Sequence, residues 1–173
     1  HLQKRITVRE AAHLWAALYA RPAADADRLL TQLGLAEKRD AWFMTLSGGQ
    51  QQRLFIALAL VNDPEVVFFD ELTTGLDPQA RRTIWELVRG VRARGKTVFL
   101  TTHLMEEAER LCDRVAVMRK GRLVEVASTA DIFLRPQHPY TRILLSAVPS
   151  PDPDVPMNLN VGEELAKLDA MGA

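Results

Sequence analysis

Val66-Val67-Phe68-Phe69-Asp70-Glu71 opens as an unbroken apolar run behind the turn signal Asn62-Asp63-Pro64 and closes on two acids. So short a run of β-branched and aromatic residues predicts a strand buried on both faces, as a parallel sheet requires. Thr97 to Thr102 reads as a second buried strand. Between them Asp77 and Pro78 form an N-cap and first-turn pair for a helix whose core face is Ile84, Leu87, Val88 and Val91 and whose stop is Gly95. Strand, helix and strand in that order imply a right-handed crossover within a parallel sheet. Asp70 and Glu71 then stand at the carboxyl end of the first strand, the edge where open α/β sheets bind ligands.

Ahead of this sheet the periodicity is helical. Thr7 followed by Glu10 is a capping box, and Val8, Ala11, Ala12, Trp15, Leu18 and Tyr19 share one face of a helix from about residue 8 to 20. Pro22 stops it, Leu29, Leu30 and Leu33 mark a second helix ended by Gly34, and Ser47 caps a third running through Ala57, Leu58 and Val61. Behind the sheet come a short helix from Met105 to Leu111 and a hairpin of Val115 to Met118 with Leu123 to Val126 around Lys120-Gly121. The prolines after Pro149 predict an extended linker, and residues 157 to 173 read as weakly ordered. The expected divisions are a helical subdomain over 1–62, a catalytic α/β core over 63–130, and a C-terminal extension with a flexible tail over 131–173.

Composition narrows the function classes. The 173 residues carry 22 basic and 22 acidic side chains, so no steering field for nucleic acid is expected. A single cysteine, Cys112, excludes an internal disulfide and a thiolate metal cluster. His1, His13 and His138 lack metal-ligand spacing. The longest wholly apolar run, Leu54 to Val61, is far short of the roughly 20 residues that span a bilayer, so membrane association is expected to go through a partner. With His1 first and Ile6-Thr7-Val8 close behind it, the chain reads as a piece of a longer product.

Leu46-Ser47-Gly48-Gly49-Gln50 sits where a loop enters a helix, so free backbone N–H groups and the positive end of the helix dipole face outward together. A phosphate is stabilised by such an arrangement, and the two glycines let the backbone approach it. Taken alone, the segment reads more readily as an ordinary Ser-capped helix with a flexible Gly pair. Its order ahead of Asp70-Glu71, Gly75-Leu76-Asp77 and Thr101-Thr102-His103 is what gives it meaning.

That ordered set resembles the ATPase subunit of ATP-binding cassette (ABC) transporters over roughly Thr7 to Pro149. Leu46 to Gln50 looks like the signature motif, Asp70-Glu71 like the end of Walker B, Gly75 to Asp77 like the D-loop and His103 like the switch histidine. The resemblance implies an α/β fold, the C-terminal part of a P-loop NTPase domain, in which a helical subdomain accompanies a parallel sheet flanked by helices. It also implies ATP and Mg2+, with Asp70 holding Mg2+ through a water, Glu71 as general base and His103 on the γ-phosphate. Ser47, Gly48, Gly49 and Gln50 would take the γ-phosphate of ATP bound to an opposite subunit, and Asp77 would contact that subunit. The implied partners are a transmembrane permease subunit and a second ATPase subunit, like or unlike, with no nucleic acid. The implied location is the cytoplasmic face of the cell membrane.

The phosphate loop and the Q-loop glutamine of the family are not found in this chain, and Leu72 stands where many relatives have proline. Gly90-Val91-Arg92-Ala93-Arg94-Gly95-Lys96-Thr97 satisfies the phosphate-loop pattern by letters, but it leaves a helix and enters a strand, the reverse of what that loop needs. Alone, the chain is therefore expected to hydrolyse no ATP. The alternative function is a non-hydrolysing or regulatory module that contributes only a signature face. A soluble ABC ATPase of DNA repair or translation finds no heptad arm or basic patch here. The front resembles the multidrug and antibiotic-export branch, whereas Arg135 to Pro149 resembles peptide-importer ATPases; export is weighted modestly higher.

Overall fold

The computed structural model describes residue 3 and residues 5–148 and 160–170. It falls into two compact units, His1–Thr101 and Thr102–Ala173.

In the first unit, α1 (Val8–Leu18) starts at the predicted capping box, where Thr7 N–H donates to Glu10 at 2.8 Å and Glu10 N–H donates to the Thr7 hydroxyl at 3.2 Å. Its buried face is narrower than expected: Val8, Ala11, Ala12 and Ala16 are covered, whereas Leu18 and Tyr19 are exposed because the helix ends there. Helix α2 (Ala23–Gln32) and α3 (Gly48–Leu60) pack on α1 through small residues and Leu30, Leu54 and Ile56. Strand β1 (Val66–Asp70), α4 (Pro78–Ala93) and β2 (Thr97–Thr101) form the predicted parallel crossover, in register from Val66 opposite Thr97 to Asp70 opposite Thr101. Trp85 rather than Leu87 completes the buried face of α4.

The expectation that both strands are buried is corrected: β1 is buried on one face only, and no residue of β2 is buried. Val67 and Phe69 are buried, but Phe68 is 74% and Phe99 57% exposed, and the two rings stack with centroids 5.1 Å apart. Apolar side chains on both faces of a strand show that each face suits burial; which face is covered depends on what lies against it. The look-alike phosphate loop resolves as read: α4 runs through Ala93, Gly95 turns at φ +79° and Lys96 pairs with Asp63 at 2.7 Å.

The second unit opens with α5 (Met105–Leu111) and the antiparallel hairpin of β3 (Arg114–Arg119) and β4 (Arg122–Ser128). Lys120 and Gly121 both take positive φ at its tip, as a two-residue hairpin turn that follows strand twist demands. Ser128 caps α6 (Thr129–Leu134), and His138 with Pro139 starts α7 (Pro139–Ser146). The weak order expected for 157–173 is corrected over 160–170, where α8 (Val161–Ala170) packs on α7 with Leu168 buried. Asp169 of α8 pairs with Arg119 and Lys120 on the hairpin, and the Arg119 guanidinium lies 5.2 Å above the Tyr140 ring. The proline-rich linker lies outside the described residues.

Glu125 ties β4 to the start of α7 by accepting the N–H groups of Gln137 at 2.8 Å and His138 at 3.0 Å. Burial works to raise its pKa, yet these bonds hold the carboxyl below its ordinary value. A depressed carboxylate stabilises the fold above its unfolded pKa, and that contribution disappears as pH falls through the lower folded value. Glu125→Ala should therefore cost about 1–3 kcal/mol near neutrality. Denaturant melts should show the parent and variant converging in strongly acidic buffer; a gap that persists there would mean the carboxylate charge is not what stabilises.

Candidate functional site

The amino end of α3 is built by a second capping box. Ser47 N–H donates to the Gln50 amide oxygen at 2.9 Å and Gln50 N–H donates to the Ser47 hydroxyl at 3.3 Å. The hydroxyl keeps its own proton to donate outward. Gly48 and Gly49 open the helix, so their N–H groups have no carbonyl a turn earlier to bond. Gln50 is thereby divided, its carbonyl spent on the cap and its NH2 left over.

This end lines a concavity of about 220 Å3 together with Gly75, Leu76 and Asp77. Ser47 to Gly49 and Gly75 to Asp77, far apart in the chain, are brought to one surface of the first unit. The Asp77 carboxylate accepts from Gln79 and Ala80 N–H at 3.0 and 2.9 Å, so its capping role is fulfilled. A Cβ built on Gly49 would lie 3.2 Å from that of Ala80, whereas one on Gly48 would meet Leu76 at an ordinary 3.6 Å. Close approach to α4 thus requires glycine more at 49 than at 48.

Arg53 also lines the concavity, and sequence reasoning missed it. One turn beyond Gly49, its guanidinium donates to the Leu33 carbonyl at 3.3 Å and so ties α3 to the end of α2. Its spacing four residues from Gly49 is the one sequence signal it gave.

Asp70 and Glu71 are exposed at the carboxyl end of β1 and line none of that concavity. Asp70 accepts the Thr101 hydroxyl proton from β2. Glu71 adopts φ +44°, a left-handed conformation that costs a non-glycine residue about 1–3 kcal/mol and is held by its surroundings. Those surroundings are the Thr101 carbonyl, which accepts Glu71 N–H at 3.0 Å, and Thr74, whose N–H donates to the Glu71 carbonyl at 3.1 Å and whose hydroxyl donates to the Glu71 carboxylate at 3.4 Å. Leu72, in place of the family's proline, is buried. His103 belongs to the second unit, exposed in a bend ahead of α5, where Leu104 N–H donates to the Thr102 hydroxyl at 3.0 Å.

Among the described residues no group of three or more His, Cys, Asp or Glu side chains is gathered around a metal position. A lone strand-end carboxylate fits a cation that keeps water and phosphate oxygens as its other ligands, as Mg2+ does. Among the described residues no helix is long and apolar enough to cross a membrane.

Residues 1–74 match the family model described as ABC transporter. Over that stretch the chain is similar to the ABC transporter family. Residues 124–171 match the model described as the C-terminal region of oligopeptide/dipeptide transporters. The methionine import ATP-binding protein MetN of Bordetella avium is 47% identical over 125 residues, which are 72% of this chain and 34% of that protein. The Nod factor export ATP-binding protein I of Paraburkholderia xenovorans is 48% identical over 128 residues, 72% of this chain and 42% of that protein. The chain thus spans well under half the length of these relatives. An ABC transporter solved in an inward-facing conformation aligns with a TM-score of 0.70 at 22% identity, over 76% of this chain and 56% of that one. The α/β fold is accordingly that of an ABC ATPase. Relatives named for import and for export match almost equally well, so these matches do not separate the two directions, while the tail carries a match of its own.

Proposed function

We propose that this chain is the signature- and Walker B-bearing part of an ATP-hydrolysing ABC subunit that couples ATP-driven dimer closure to transport. The observation that carries this reading is the separation of two surfaces in one unit: Ser47, Gly48 and Gly49 share a concavity with Asp77, while Asp70 and Glu71 stand at a strand end outside it. One nucleotide is then completed by two chains. In this mechanism the α3 amides and the Ser47 hydroxyl take the γ-phosphate of ATP held by the partner subunit, and Gln50 offers its remaining NH2. Asp77 contacts that subunit. Glu71 accepts the proton of the attacking water, and His103 donates to a γ-phosphate oxygen. Asp70 would hold Mg2+ through a water, and the ion would neutralise phosphate charge when bound. The partners are a second ATPase subunit and a membrane permease, at the cytoplasmic face of the membrane. The match over residues 124–171 supports the resemblance of the tail to peptide transporters. No observation favours the non-hydrolysing alternative.

If sites are shared between chains, Mg2+-dependent turnover per subunit should rise with protein concentration in a complete subunit carrying this segment. A concentration-independent rate in a species that light scattering shows to be monomeric would overturn the reading.

A further inference from the structure

The register of β1 and β2 places Thr101 directly beside Asp70. The Thr101 hydroxyl donates to Asp70 Oδ1 and accepts the N–H of Glu71 at 3.3 Å, an N–H shared with the Thr101 carbonyl at 3.0 Å. A hydroxyl has one proton. With the Glu71 N–H directed at its oxygen, the hydroxyl spends that proton on Asp70. One acceptor site of Asp70 Oδ1 is thereby engaged and the carboxylate is oriented, which leaves Oδ2 as the oxygen that does not share the Thr101 proton. Branching at Cβ restricts the Thr101 side chain to few rotamers, so strand geometry delivers the hydroxyl to this point. The same atom reaches the corner where Glu71 is held at φ +44°.

We propose that Thr101 is a positioning residue, which through one hydroxyl orients the Asp70 carboxylate and anchors the backbone corner that presents Glu71. The inference rests on the reading of Asp70 and Glu71 as the cation and base positions. It adds that the two are aligned by a side chain on the neighbouring strand, so neither acid is set independently. Loss of the hydroxyl should act on cation affinity and on turnover together.

The test uses a complete subunit carrying this segment, with Mn2+ as the probe and a non-hydrolysable ATP analogue present. Thr101→Val removes the hydroxyl with little change of shape, and Thr101→Ser keeps it. Electron paramagnetic resonance titration should show Mn2+ affinity falling about 10- to 100-fold in Thr101→Val, the range for lost outer partners of metal ligands. At saturating ATP, kcat should fall with it and half-maximal Mg2+ should rise, while Thr101→Ser stays near the parent in both. Thr101→Ala serves as the hydroxyl-free variant if the valine protein does not fold. A merely structural role would lower the melting temperature and leave the Mg2+ requirement unchanged. Unchanged Mn2+ affinity in the folded hydroxyl-free variant, beside a loss in Asp70→Asn, overturns the role of Thr101 alone. If Asp70→Asn also binds Mn2+ as the parent does, the reading of the site falls and this inference falls with it.

Discussion

Glu71→Gln in a complete ATP-binding subunit that carries this segment keeps the parent's affinity for ATP and loses about 10²- to 10⁴-fold in turnover, the range for a positioned general base. The substitution is conservative in shape. Glutamine has the same length, and its amide oxygen can still accept the Thr74 hydroxyl that lies 3.4 Å from the carboxylate. The backbone corner at φ +44° is held by main-chain bonds to Thr101 and Thr74 together with the Thr101 hydroxyl, none of which the substitution removes. What disappears is an exposed carboxylate able to accept a proton. Affinity measured by calorimetry and turnover measured at saturating ATP separate the outcomes. An equal fall in both would show that Glu71 binds nucleotide and is not the base.

Ser47→Arg and Gly49→Asp leave first-encounter ATP binding intact and block ATP-driven dimer closure, with turnover lowered at least about 100-fold, as when one anion-stabilising donor is lost. An arginine at 47 breaks the capping box with Gln50 and fills the concavity shared with Gly75 and Asp77. An aspartate at 49 sets a carboxylate against a γ-phosphate in a water-poor interface. It also meets the Ala80 Cβ, because the glycine already approaches α4 closely. Gly49→Ala, alone and with Ala80→Gly, therefore measures the crowding without the charge. Mixing Ser47→Arg subunits with Glu71→Gln subunits decides whether the surfaces act across chains. If they do, each mixed dimer carries both lesions in one site and retains one intact site. If one chain supplies both surfaces to its own nucleotide, no site is intact and the mixture is inactive. Closure of Gly49→Asp to the parent's extent, read by light scattering, would reduce the segment to a capped helix.

The features legible in the sequence are those whose chemistry acts over a few residues. Thr7 with Glu10, Ser47 with Gln50, and Asp77 with Pro78 each cap a helix where predicted, because a side chain satisfies an amide two or three positions away. The Lys120-Gly121 turn and the helix-to-strand order that rejects the look-alike phosphate loop are equally local. The acids at the end of β1 were readable because an apolar run and its polar terminus mark a strand end without reference to anything else.

Tertiary structure alone decided the rest. The exposed Phe68 and Phe99, the union of Ser47 with Asp77, the bond from Thr101 to Asp70 and the docking of α8 through Asp169 all join residues about 30 or more positions apart. Such pairs are chosen by strand register and by which helix face finds cover. The weakly apolar α8 shows the limit most clearly. Its own residues promise little order, and it is held by Leu168 packed beneath it and two hairpin cations fifty and forty-nine positions away. Local chemistry therefore determined which groups this protein carries and at which element ends. Packing determined which of them meet, because side chains distant in sequence become neighbours only after the backbone has folded between them.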